Sequence, residues 1–131
     1  ALPLDNGGTT SRDFIFVEDM ARGLQACALK GGAGETYNLA TGAETTIREL
    51  AELINEFTGN KTPIDLKPAR TWDKSGNRFA ATDKAREELG FEAQVDVRTG
   101  IQRTVEWTME NRARITACMD KHGKLMAQAQ A

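Results

Sequence analysis

The chain has 131 residues, 40% of them hydrophobic and 27% charged, a composition that fits one globular domain with a single core and excludes fibrous or disordered classes. A formal net charge of −2 supplies no global field for nucleic acid or an anionic membrane, so an anionic ligand has to be caught locally. One histidine, two distant cysteines (Cys27 and Cys118) and no apolar run approaching roughly 20 residues argue against a histidine metal site, a Ser-His-Asp triad, a disulfide framework and a membrane span, and make a reduced, cytoplasmic setting the simplest expectation.

Residues 1–11, with Pro3, Gly7, Gly8 and two threonines, read as an irregular lead-in loop rather than the start of a domain. Phe14, Ile15, Phe16 and Val17 predict a strand over 14–17, and Glu18 and Asp19 suit the first turn of a following helix. Met20, Leu24, Cys27 and Ala28 recur at helical spacing over 20–30, after which Gly31, Gly32 and Gly34 stop the helix. A second short strand is expected over 36–39, bounded by glycine on both sides. The clearest helix follows: Thr46 and Glu49 form a capping-box pattern, Ile47, Leu50, Leu53, Ile54 and Phe57 make the apolar stripe, and Gly59 marks the stop.

A third strand is predicted over 64–67, between Pro63 and Pro68, and the polar stretch 69–81 has no consistent period and reads as a loop. Asp83 is placed to cap a short helix over 84–89 ending at Gly90, and Asp96 to cap a longer one containing Ile101, Val105, Thr108 and Met109. Val105 and Trp107 are expected in the core, and Asp13 and Glu18 as caps or solvated charges. Beyond Asn111 the apolar residues thin out, so the end of the chain either frays or packs on a neighbour.

Chemistry by elimination is informative. A dinucleotide is held by a glycine-rich turn leading from a strand into a helix, whereas the glycines at 31–34 end a helix and lead into a strand. A short-chain dehydrogenase also needs a tyrosine with lysine four residues later; the only tyrosine is Tyr37, and Thr41 stands four residues on. No catalytic residue is therefore assigned. What remains is Arg12 before the first strand and Arg70 after the third, side chains whose planar fork suits phosphate, although on spacing alone each reads as a solvated surface arginine.

The string Ser11-Arg12-Asp13-Phe14-Ile15-Phe16-Val17-Glu18-Asp19, then Glu35-Thr36-Tyr37-Asn38-Leu39-Ala40, the helix begun at Thr46, Pro68-Ala69-Arg70-Thr71-Trp72-Asp73, the 83–91 segment and the 100–107 segment together resemble the extended short-chain dehydrogenase/reductase family of NAD-dependent epimerases and dehydratases, UDP-glucose 4-epimerase-like. The likeness runs from about Gly8 to Arg112. It implies that Arg12 and Arg70 hold the diphosphate of a nucleotide sugar, that Asp73 contacts the nucleotide ribose, and that Phe14, Ile47 and Arg78 line the nucleotide pocket. Trp72 stands where the family often has glycine.

The resemblance also implies that the catalytic Tyr and Lys and the NAD loop belong to a larger N-terminal Rossmann part that this sequence lacks. The expectation is thus an α/β fold: a small substrate-binding domain of several helices and short strands over 1–112, with 113–131 a helical extension or tail. Its function is to bind a UDP- or dTDP-sugar, catalytically incomplete alone, with no cofactor of its own and NAD in the intact family member. The expected partners are the nucleoside diphosphate sugar, the missing Rossmann half and, because the 36–39 strand would lose its sheet, a second copy in a homodimer. The rival reading is an interaction or structural domain with no specific ligand.

Overall fold

The computed structural model describes residues 1–72 and 76–129, with side chains described through 123. In chain order the elements are β1 (Leu2–Leu4), a tight turn over Asp5–Gly8, β2 (Ser11–Arg12), α1 (Val17–Lys30), β3 (Thr45–Thr46), α2 (Ile47–Thr58), β4 (Ile64–Leu66), a π-helical turn over Ala85–Leu89, α3 (Val97–Glu110) and α4 (Arg112–Ala129). β1 pairs with β4 in parallel, Leu2 opposite Ile64 and Leu4 opposite Leu66. β2 pairs with β3 antiparallel, Arg12 opposite Thr45. The fold is α/β, and no helix among the described residues is long and apolar enough to cross a membrane.

Local signals are obeyed where a helix carries its own cap. Thr46 and Glu49 complete both arms of the box: Glu49 N–H donates to Thr46 Oγ1 at 3.1 Å and Thr46 N–H donates to Glu49 Oε2 at 2.8 Å. Gly59 then ends α2 at φ 66°, a conformation that a Cβ disfavours. Asp96 caps α3 by accepting from Thr99 N–H at 2.9 Å.

Several expectations are corrected. Residues 14–17 do not form a strand: Phe16 is the extended N-cap of α1, which already begins at Val17. Residues 36–39 are also unpaired, because a strand exists only against a neighbour and no described strand lies beside them. The lead-in segment, by contrast, is not all loop, since it supplies β1. Asp83 lies inside the helical turn rather than capping it; the Thr82 carbonyl accepts from Arg86 N–H at 3.1 Å, and the Asp83 carboxylate pairs with Arg86.

The buried centre is small. Ala85, Leu89 and Phe91 form it, with Ile15, Ala26, Cys27, Tyr37 and Leu39 packed around them, so α1, the 37–39 segment and the π-helical turn converge on one point. Gly23 makes that approach possible, because a Cβ there would stand 2.9 Å from both δ-carbons of Leu39 and 3.0 Å from Phe91 Cε2. Gly23→Ala is expected to destabilise the fold by about 1–3 kcal/mol through overpacking, read as a lower urea midpoint; an unchanged midpoint would show that the contact is loose.

A compact monomer of 14.3 kDa exposes about 6,800 Å², whereas this chain exposes 9383 Å². The single large core expected from length is therefore not what the chain builds. Val17 is 70% exposed and Leu29 75%, and Trp107, expected inside, is 53% exposed on α3. α4 is helical as far as Ala129 but leaves Met119 68% exposed.

Candidate functional site

The site assembles at β2. One edge of this two-residue strand is taken by β3, which leads directly into capped α2. Its other edge is taken by the loop after β4: Ser11 N–H donates to Asn77 Oδ1 at 3.1 Å, and Arg78 N–H donates to the Ser11 carbonyl at 3.3 Å. The Arg12 guanidinium is fixed along this seam, Nη1 donating to the carbonyls of Gly76 at 2.7 Å and Ser11 at 2.6 Å. Arg12 and Arg78 are thus brought to one seam from far apart in the sequence. Ile47 opens α2 beside them, its N–H donating to the Thr10 carbonyl at 2.9 Å.

Arg70 sits on the loop after β4, its guanidinium paired with Asp5 and lying 5.3 Å from the centre of the Trp72 ring. Asp5 opens the turn that joins β1 to β2; Asn6 and Gly7 N–H groups bind the carbonyls of Pro68 at 3.4 Å and Lys67 at 3.0 Å. The same turn therefore holds the Arg70 loop at its start and delivers Arg12 at its end. Asp73 lies outside the described residues.

Asp13 was expected to be a cap or a solvated charge, and it is neither. Its Oδ1 accepts from Thr41 N–H at 2.9 Å and Thr41 Oγ1 at 2.5 Å, while Oδ2 accepts from Gly42 N–H at 2.8 Å and Ala80 N–H at 3.4 Å. Glu18 does stay at the surface, pairing with Arg103 at 3.1 Å. Neither Asp13 nor Asp5 could be singled out from sequence, because their partners lie far along the chain.

Phe14 faces a different space, an open groove of about 800 Å³ between α2 and residues 93–98. Glu44, Glu49, Glu52, Glu56 and Asp96 line it, against the single guanidinium of Arg98. These carboxylates are engaged: Glu44 by Ser11, Glu52 by Arg48 at 2.9 Å, and Glu56 by Arg98. N–H donation holds two of them below the usual carboxylate range, from Thr46 to Glu49 and from Thr99 to Asp96. None of Arg12, Ile47, Arg70 and Arg78 lines this groove, and its negative field disfavours a diphosphate.

Gly7 and Gly8 lie in the turn that leads from β1 toward β2, and Gly42 lies in the loop ahead of β3 and α2, where its N–H is taken by Asp13.

The GDP-mannose 4,6-dehydratase family model matches residues 2–104. The chain belongs to the NAD-dependent epimerase/dehydratase family of extended short-chain dehydrogenases/reductases. Among its relatives in this family, the dTDP-glucose 4,6-dehydratase of Shigella flexneri is 33% identical over 118 residues, covering 85% of this chain and 33% of that protein. The UDP-glucose 4-epimerase of Mycolicibacterium smegmatis is 35% identical over 100 residues, covering 76% and 32%. The crystal structure of the Bordetella bronchiseptica enzyme WbmF in complex with NAD+ and UDP superimposes with a TM-score of 0.80 at 52% identity, covering 96% of this chain and 37% of that one. The chain thus spans about a third of the length of the relatives it matches.

Proposed function

We propose that this chain is the nucleotide-sugar-binding part of an NAD-dependent sugar epimerase or dehydratase, with no complete catalytic apparatus of its own. The observation that carries the reading is the β2 seam, where Arg12 is pre-oriented by Gly76 and Arg78 is stitched alongside. Arg12 and Arg70 would grip the diphosphate of a UDP- or dTDP-sugar through charge-assisted bonds. Phe14 and Ile47 would line the nucleoside side and Asp73 would contact the ribose. The NAD and the reacting groups would come from a Rossmann part. Binding energy from the remote nucleotide would position the sugar ring there.

The 36–39 segment and the exposed apolar residues Val17 and Leu29 fit a surface covered by that part, and by a second copy of the chain when it is absent. Residues 113–131 would form a helical extension to the binding domain 1–112.

The test is an NMR titration of the chain with UDP, UDP-glucose and dTDP-glucose. Shifts clustered at Arg12, Ile47 and Arg78 support the reading, and silence with all three ligands removes it. Mixing the chain with a separately produced Rossmann part is then expected to restore turnover of the sugar nucleotide that binds; a ligand-free interaction domain would restore none.

A further inference from the structure

The nucleotide reading leaves one charged group between its two halves without a role. Asp13 stands between Arg12, on the anion side, and Phe14, on the groove side. Its two carboxylate oxygens accept from three backbone N–H groups and one hydroxyl, at Thr41, Gly42 and Ala80. Two loops that meet nowhere near each other in sequence are thereby tied to β2. One of them, 76–80, supplies the Gly76 carbonyl that orients the Arg12 guanidinium and the Arg78 N–H that extends the seam; the other, 41–44, supplies Thr41, Ala43 and Glu44 to the wall beside Phe14.

We propose that Asp13 is a positioning residue: its carboxylate locks the 41–42 and 80 backbones so that Arg12 is held in place for a nucleoside diphosphate. This rests on the nucleotide reading. An ionised carboxylate is the side chain of this length that presents acceptors on both branches. Asparagine in its place turns an NH2 toward either Thr41 or the Gly42 and Ala80 N–H groups, setting donor against donor. Asp13 itself touches no ligand; it acts through Arg12.

The experiment measures UDP affinity of the 131-residue chain by NMR for the parent and for Asp13→Asn, Arg12→Ala and the double variant, with amide exchange at Gly42 and Ala80 read in parallel. Thr41→Val, which removes only the hydroxyl donor, is the milder substitution should Asp13→Asn unfold, and is expected to weaken UDP about threefold through loss of part of one hydrogen bond. Asp13→Asn is expected to weaken UDP about tenfold and to speed exchange at Gly42 and Ala80. The double variant is expected to bind no worse than Arg12→Ala alone, since a residue acting through Arg12 has nothing left to lose. Parent-like UDP affinity in Asp13→Asn, or in a Thr41→Val used in its stead, overturns the positioning role while leaving the nucleotide reading intact. Multiplying losses in the double variant also overturn it, because they show general loosening. A parent chain that does not bind UDP ends both.

Discussion

Asp19→Ala is expected to cost about 2–4 kcal/mol, because it removes a buried carboxylate whose hydrogen bonds to two part-buried backbone donors are worth about 1.5–3 kcal/mol each, part of which those donors regain from water. The Asp19 side chain is 1% exposed and accepts from Gln94 N–H at 3.0 Å and Val95 N–H at 2.9 Å, while pairing with Arg22. Arg22 is 42% exposed and can return to water, so the loss falls mainly on the backbone donors. Against a total stability of about 5–15 kcal/mol, this is the largest single-residue effect expected here. The 94–95 segment would lose its anchor to α1 just ahead of the Asp96 cap of α3.

The same carboxylate gives a pH signature. Burial pushes the Asp19 pKa up, but the Arg22 guanidinium and the Val95 and Gln94 N–H groups outweigh it and hold the value below 3.8. A group whose pKa is lower folded than unfolded contributes its stability in full above the unfolded value and loses it as pH falls through the folded one. Urea midpoints between pH 6 and pH 2.5 should therefore drop more steeply for the parent chain than for Asp19→Asn below pH 3.8. Parallel curves would show that folding does not lower the Asp19 pKa.

The second large effect is on binding. Arg12→Ala and Arg70→Ala should each weaken UDP binding by about 10- to 100-fold, the range of one or two charge-assisted hydrogen bonds worth about 1.5–3 kcal/mol. Arg12 should give the greater loss, since Gly76 already fixes its guanidinium, whereas Arg70 is half exposed and engaged by Asp5. Lysine should not rescue Arg12, because a point charge cannot reproduce the fork. Arg112, exposed on α4, serves as the control whose removal leaves affinity unchanged. If the Arg12 and Arg70 variants both match the parent in calorimetric titration, the diphosphate is not held at this seam.

What could be read in the sequence was what is decided within a few residues. The Thr46–Glu49 box and the Asp96 cap are local bargains between one side chain and the next turn, and both were foreseen. The 14–17 and 36–39 segments have the residue types of strands, but no described strand pairs with them, and pairing is decided elsewhere in the chain. Asp83 failed for a subtler reason: the Thr82 carbonyl already opens the turn, leaving Asp83 free to meet Arg86. At the site, Arg12 and Arg70 entered through family likeness rather than spacing. Their actual setting depends on Gly76 and Asp5, contacts no local pattern encodes. Asp13 carries no local signature, because an acidic residue ahead of a helix looks like any solvated charge until the Thr41 and Ala80 loops arrive around it.

The uncovered area of the folded chain bears on how copies behave toward one another. With a net charge of only −2, electrostatic repulsion between copies is weak and is screened within about 8 Å at physiological ionic strength. Exposed Val17, Leu29, Trp107 and Met119 are then expected to govern short-range contact between copies more than charge does. The colloidal stability of the chain is accordingly expected to depend on whether those side chains are covered, more than on the strength of its own small core.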